Sequence, residues 1–293
     1  MKILLTGGSG FLGRNLLEQL KDKYRISAPT SSELNLLDKA AVHAYLKANH
    51  FDVIIHSAWW NSSRNSTKNL SKSYEYNVGM FANIAEHADS FGKMIYFGSG
   101  AEYGKAHYQP HMTEDYFGKH QPTEDSHRAK FTMMKIAERT ANIVNLRTFA
   151  VFGKHEDWEI RFISNAICKI IYDLPITIKR NVYYDYLYID DLVRITDWFI
   201  NNNPKHNAYN VCRGKAIDLL SLANIALKIA QKRLPIIIRN EGLAPEYSGD
   251  NSRLLGEMRH FIFSDLEDDI EELYRWYLMN KNKIDGDKLL SDK

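Results

Sequence analysis

The sequence predicts an α/β protein, a doubly wound parallel sheet with a smaller C-terminal α/β lobe, and three observations predict it. Short apolar runs alternate with stretches of helical period through the first half; a glycine-rich turn joins the first run to the first helix; beyond residue 155 the segments become shorter and more mixed. Runs apolar on consecutive residues belong to sheets covered on both faces. With 293 residues, 44% of them apolar, the chain has material for a sizeable core.

The opening stretch sets the pattern. Met1 to Thr6 reads as a buried strand, Gly7, Gly8, Gly10 and Gly13 punctuate the turn, and Leu12, Leu16, Leu17 and Leu20 recur at helical spacing. Strand, tight turn and helix let backbone N–H groups and the positive helix end face an anion, and residues without a Cβ let a pyrophosphate come close. The expected ligand is a dinucleotide, the sheet is of Rossmann type, and Gly7, Ser9, Gly10, Phe11 and Leu12 are the expected contacts.

Charge and cysteine usage exclude other classes. Thirty-eight basic and 36 acidic residues are spread along the chain for a net +2, so no basic field for nucleic acid arises. Cys168 and Cys212 lack the spacing of a metal or redox pair, no metal is expected, and a reducing compartment suits them. The chain begins on a core strand and no apolar run reaches the ~18–20 residues that span a bilayer, which predicts a cytoplasmic protein without a membrane anchor.

Tyr24 to Ala28 forms the second strand, with a polar exit from Pro29 to Ser32. In dinucleotide folds this exit faces the adenosine ribose, where an acid bonds both hydroxyls and repels a 2′-phosphate. Thr30, Ser31 and Ser32, with Arg14 on the first helix, favour NADP(H) slightly over NAD(H); the plainer alternative is turn hydroxyls beside NAD(H). Asp38 caps a helix carrying Val42, Tyr45 and Leu46 on one face. Asp52 to Ala58 is a buried strand, and Trp59 and Trp60 at its exit either floor a substrate pocket or pack on the next helix. A polar loop at Asn61 to Ser73 precedes a helix with Tyr74, Val78, Phe81, Ile84, Ala85 and Ala88 on one face; Met94 to Phe97 and Ile143 to Leu146 are further strands.

The spacing Gly7-x-x-Gly10-x-x-Gly13, the stretch Glu33-Leu34-Asn35-Leu36-Leu37-Asp38 and the run Ser99-Gly100-Ala101-Glu102-Tyr103-Gly104 resemble the extended short-chain dehydrogenase/reductases of the NAD-dependent epimerase/dehydratase family. The wording is closest to nucleotide-sugar reductases of the GDP-fucose synthase and dTDP-4-dehydrorhamnose reductase type. The resemblance implies that Asn35 reaches the adenine edge while Leu36 supplies apolar contact, that Ser57, Ala58 and Trp59 lie along the cofactor ribose, and that Asn77 stands behind a catalytic lysine. It places the Ser99 hydroxyl on the substrate carbonyl oxygen. The acids that the family's dehydratases carry next are Gly100 and Ala101, which disfavours dehydration. Ala101 also replaces the cysteine of the epimerising reductases, and Arg161 falls at their histidine.

The family's Tyr-x-x-x-Lys is incomplete here. Lys130 matches, but Ser126 stands at the tyrosine. Hydride transfer to a carbonyl leaves an alkoxide that needs a proton, which a tyrosine beside an ammonium supplies near neutral pH; a serine hydroxyl has no accessible anion and is shorter. Three explanations stand: His127, Tyr103 or a water held by Ser126 and Ser99 delivers the proton; the chain is an impaired variant; or it is a natural dinucleotide binder without catalysis.

In the substrate half, the run from Leu146 to Lys154 resembles the family's strand exit beside the nicotinamide, with Phe149 shaping the pocket. Arg161 to Tyr172 reads as a helix and Pro175 to Arg180 as a strand, a segment that in the family covers the nucleotide diphosphate. Arg161, Lys179 and Arg180 are candidate phosphate contacts, each with a solvated surface charge as the plainer alternative, and Trp60 is a candidate for substrate. Asp190 is a natural N-cap, Leu219 to Gln231 a helix and Ile236 to Ile238 a strand; Leu266, Ile270, Leu273 and Trp276 share a helix face before a charged, frayed tail. Residues 1–154 form the expected dinucleotide-binding domain, with 181–211 returning to it, and 155–180 with 212–293 the substrate lobe. The expected activity is NAD(P)H-dependent reduction of a 4-keto nucleotide sugar for glycan, capsule or lipopolysaccharide biosynthesis, by a homodimer as is usual for the family; a nucleotide-sugar 4-epimerase and a catalytically impaired dinucleotide-binding protein are the alternatives.

Overall fold

The computed structural model describes residues 1–60 and 67–290, so half of the polar 61–73 loop lies outside the described residues. The first half runs β1 (Lys2–Thr6), α1 (Phe11–Leu20), β2 (Arg25–Ser27), α2 (Lys39–Asn49), β3 (Phe51–His56), α3 (Ser73–Ala85), β4 (Phe91–Ser99), α4 (Asp125–Ala137) and β5 (Ile143–Thr148). The second half runs β6 (Ala150–Phe152), α5 (Phe162–Ile171), β7 (Ile176–Asn181), β8 (Tyr183–Tyr184), β9 (Tyr186–Tyr188), α6 (Ile189–Asn201), β10 (Ala208–Val211), β11 (Ile217–Asp218), α7 (Leu219–Ile229), β12 (Ile236–Leu243), α8 (Ser252–Glu257) and α9 (Leu266–Met279).

Six strands form one parallel sheet in the order β10-β5-β4-β3-β1-β2. Alternation through the sheet explains why the centres of β1, β3 and β4 are apolar on consecutive residues. Ile3, Leu5, Val53, Ile55, Ile95 and Phe97 enter the core beneath α1, α5 and α6, while Leu4, Ile54, Met94 and Tyr96 enter the opposite core beneath α2, α3 and α4. Chain direction switches between β1 and β3, so the crevice at their carboxyl ends is the ligand position the topology dictates. Past β5 the chain builds three two-stranded pieces, β6 with β9, β7 with β12 and β8 with β11, between which β10 returns to the large sheet.

Three expectations are corrected. Asp190 does not cap α6: the helix starts at Ile189 with Tyr188 at its N-cap, and burial raises the Asp190 pKa while its carboxylate accepts a hydrogen bond from Gln19 Nε2 at 2.7 Å. A tertiary partner outcompetes the local cap. The segment after α9 is not frayed, because Ile284 and Leu289 are buried and the Tyr172 hydroxyl donates to the Lys281 and Ile284 carbonyls at 3.2 and 2.8 Å. On α9 the buried apolar positions are Ile270, Leu273 and Tyr277, with Trp276 only partly covered. Among the described residues, no helix is long and apolar enough to cross a membrane.

Candidate active site

The glycine turn is a contact between backbones. Gly7 has φ +72°, and a Cβ there would lie 2.6 Å from Ala58 Cα and N; a Cβ on Gly13 would lie 2.1 Å from the Gly7 carbonyl oxygen. The turns after β1 and β3 are further tied by Ser57, whose N–H and hydroxyl both donate to the Thr6 carbonyl at 3.2 and 2.7 Å. Gly10 precedes α1 with extended φ and ψ, no side chain caps the helix and no acid lies in its first turn, so the amides at Phe11 and Leu12 face outward uncompensated. A pyrophosphate fits this cradle, and Gly7, Ser9, Gly10, Phe11 and Leu12 would hold a dinucleotide lying along the crevice.

At the exit of β2 the structure adds a group the sequence reading passed over. Glu33 turns back, and its carboxylate accepts from the Thr30 N–H at 2.7 Å and the Thr30 hydroxyl at 2.9 Å, which holds its pKa below the usual carboxylate value. Ser31 and Arg14 are exposed. Asn35 spends its side-chain oxygen on the Leu37 N–H at 3.1 Å, and Leu36 is buried among α2 and α3 side chains.

Ser99 ends β4 at the mouth of the crevice. Its hydroxyl accepts from the Ala101 N–H at 3.1 Å, while Glu102 reaches back to its N–H at 3.0 Å, a capping box that fixes the serine at the strand end. Glu102 is fully buried. It accepts from Arg147 Nε at 2.8 Å and from Asn145 Nδ2 at 3.1 and 3.2 Å; Arg147 in turn donates to the Tyr103 hydroxyl, which donates to Asn210 at 2.6 Å. Tyr103 is thus a strut in a buried network and not a proton donor to substrate.

Lys130 reaches the same strand from α4. Its ammonium donates to the Phe97 carbonyl at 2.5 Å and lies 4.2 Å from the Trp59 ring centroid, which places Trp59 beside the lysine. Burial lowers the Lys130 pKa to about 8, with the Glu102 charge opposing. In the ribose-binding role the family resemblance implies for Lys130, its ammonium would be lost as pH rises through about 8, and dinucleotide affinity measured by fluorescence titration is expected to weaken above that pH; affinity flat to pH 10 overturns this. The stability effect has the opposite sign. Between about 8 and 10.5 the unfolded chain binds more protons at this site, so its contribution to stability rises with pH.

Other expected residues are placed differently. Ser126 is half-buried in the first turn of α4, and among the described residues no hydrogen bond joins it to Ser99 or Lys130. His127 stands 3.3 Å from Glu124, its pKa lowered by burial. Asn77 is buried, but its amide holds the Trp60 N–H at 2.7 Å and the Ser73 carbonyl at 2.8 Å, with no bond to Lys130 among the described residues. Trp60 donates its indole N–H to Asn69 and packs on Tyr76 at 4.9 Å. Arg161 and Arg180 are exposed in the lobe; burial raises the Tyr184 pKa and the Arg161 charge opposes it.

The side chain that does meet Ser99 was not expected. The Tyr247 hydroxyl is 3.1 Å from Ser99 Oγ, and the Phe149 and Tyr247 rings are 5.0 Å apart. A Cβ on Gly100 would lie 2.6 Å from the Phe149 ring and 2.8 Å from the Tyr247 oxygen, so the carboxylate dehydratases carry at this position has no room here.

A model of the NAD dependent epimerase/dehydratase family matches residues 3–212. The chain belongs to that family. Among curated members, the GDP-L-colitose synthase of Yersinia pseudotuberculosis is 27% identical, the match covering 96% of this chain and 99% of that protein. The GDP-L-fucose synthase of Escherichia coli strain K12 is 22% identical over 97% and 99%. Among solved structures, a GDP-mannoheptose C4 reductase from Campylobacter jejuni with NADP bound shares the fold at a TM-score of 0.81 and 17% identity, covering 94% of this chain and 98% of that one. For this family member the parallel six-stranded sheet and its glycine crevice are the expected scaffold.

Proposed function

We propose that this protein is an NAD(P)H-dependent reductase of a 4-keto nucleotide sugar, with a GDP-linked sugar as the first choice, acting in the synthesis of a surface glycan. The observation that carries the reading is the Ser99 hydroxyl, fixed by Glu102 at the end of β4 while Lys130 reaches the carbonyl two residues back. Ser99 binds and orients the carbonyl oxygen, Lys130 binds the ribose and lends a positive field, and the α1 N-terminus holds the pyrophosphate. When bound, the reduced nicotinamide supplies the two electrons and one hydrogen of carbonyl reduction. Gly100 and Ala101, where dehydratases place acids, support reduction over elimination. Relatives that are GDP-sugar synthases support the base.

NADP(H) is proposed over NAD(H) from Thr30, Ser31 and Arg14, with Glu33 as the group that argues the other way. A homodimer and a cytoplasmic location complete the proposal. Thermal shift with NADPH, NADH and GDP-, UDP-, CDP- and dTDP-sugars tests it, together with oxidation of NADPH by a 4-keto GDP-sugar. The expected result is stabilisation by NADPH above NADH, by a GDP-sugar above the other bases, and turnover. Stabilisation by dinucleotide and by no nucleotide sugar overturns the reductase reading; a larger shift with NADH assigns Glu33 to the ribose hydroxyls.

A further inference from the structure

We propose that Tyr247, from the C-terminal lobe, is the phenol of this active site, acting through Ser99 as its proton source and positioning residue. The inference rests on the reductase reading and adds a group that no local motif marks. Ser126 is bonded to neither Ser99 nor Lys130 among the described residues, and Tyr103 is consumed by Arg147 and Asn210. Tyr247 is 3.1 Å from Ser99 Oγ.

Either oxygen can donate in that bond, and one direction frees the serine proton for substrate. A serine hydroxyl has one proton to donate and two places to accept. Ser99 Oγ already accepts from the Ala101 N–H at 3.1 Å; with Tyr247 donating into the second place, the serine's own O–H is left for the substrate oxygen. The chain phenol to serine to substrate pairs each of these groups, and it is the direction the proposal takes for a bond in which either oxygen can donate.

The phenol is held there by its surroundings. The Tyr247 N–H donates to the Tyr183 carbonyl at 2.9 Å, its carbonyl accepts from the Asp185 N–H at 3.1 Å, and its backbone bridges to Tyr184 on β8. Asp185, itself buried, is anchored by the Arg213 and Gly214 N–H groups at 2.8 Å each. Rings of Tyr108, Phe149 and Tyr184 stand 4.9, 5.0 and 5.9 Å from the Tyr247 ring. Gly100 is the complement, since a Cβ there would meet the phenol oxygen.

In the step, the phenol O–H bond breaks and its proton passes to Ser99 Oγ as the serine proton passes to the carbonyl oxygen. The carbonyl carbon takes two electrons and one hydrogen from a bound reduced nicotinamide dinucleotide, the carbinol O–H forms, and the phenolate recovers a proton from solvent. Burial, the largest cause, keeps the Tyr247 pKa above that of a free tyrosine. A phenol that holds its proton across the neutral range donates well and accepts poorly, which suits reduction over carbinol oxidation.

Tyr247→Phe in the full chain is expected to lower kcat by roughly 10²-fold, within the range for loss of one positioned proton donor, and to change the solvent isotope effect on kcat. The NADPH dissociation constant and the melting temperature stay close to wild type. Ser126→Tyr alone gives no gain, because the proton is not missing, whereas Ser126→Tyr with Tyr247→Phe regains turnover by placing a phenol one helical turn before Lys130. An unchanged kcat and isotope effect in Tyr247→Phe, or a gain from Ser126→Tyr alone, overturns the proposal. A readout apart from turnover separates it from the functional reading: with isotope-labelled tyrosine, the Tyr247 ring-carbon resonance, assigned by its loss in Tyr247→Phe, shifts in Ser99→Ala. A resonance that does not shift sinks the Ser99–Tyr247 coupling, and a wild-type protein with the coupling intact but no reductase activity sinks the reductase reading alone.

Discussion

Glu102→Gln is expected to lower the free energy of unfolding by about 3–5 kcal/mol, the cost of stranding one partner of a buried ion pair. Glu102 and Arg147 both have no exposed side-chain surface and meet at 2.8 Å. The glutamine keeps the shape and still accepts from the Ser99 N–H, but it removes the only charge that compensates the guanidinium among the described residues. Arg147 Nη2 already lacks a partner there, so the side chain has little slack. Urea denaturation of the variant measures the loss, and Arg147→Met in the same chain recovers much of it, because the uncompensated charge and not the missing contact is the main cost. A loss below about 1 kcal/mol would mean that water reaches the pair.

Ser99→Ala is expected to reduce turnover by about 10²–10³-fold while leaving the dinucleotide dissociation constant nearly unchanged. In the proposed function the hydroxyl faces the carbonyl oxygen, and the dinucleotide is held by the turn at Gly7 to Gly13 and by Lys130. Removing it also leaves the Ala101 N–H and the Tyr247 hydroxyl without their shared partner, so a stability loss of about 1 kcal/mol accompanies the kinetic one. Steady-state kinetics beside fluorescence titration separates the two effects. A parallel rise in the NADPH dissociation constant would show that the serine positions cofactor and not substrate.

The sheet was legible because its signal is local. Residues 3–5, 53–55 and 94–97 are apolar on consecutive positions for the reason the structure gives, cores on both faces, and Asp38 caps α2 by accepting from the Ala41 N–H at 3.0 Å as expected of such a residue. The glycine turn was legible too, since no other residue fits where Gly7 meets Ala58. What stayed hidden depends on distant partners. Asp190 looks like a cap until Gln19 is beside it, and Glu33 looks like a helix approach until it folds onto Thr30. Arg253 pairs with Asp115 at 2.9 Å, a partner 138 positions away. Tyr247 is the extreme case: its contact with Ser99 joins positions 148 residues apart, and nothing in its neighbours in sequence announces it.

The return of β10 to the edge of the sheet makes the two halves inseparable as pieces of chain. A fragment ending at residue 154 would leave β5 as a bare, apolar edge open to self-pairing, and would strip Asn210 from the Tyr103 hydroxyl that steadies Arg147. Exchanging substrate lobes between relatives therefore means cutting on either side of β10 and keeping that strand with the recipient's sheet.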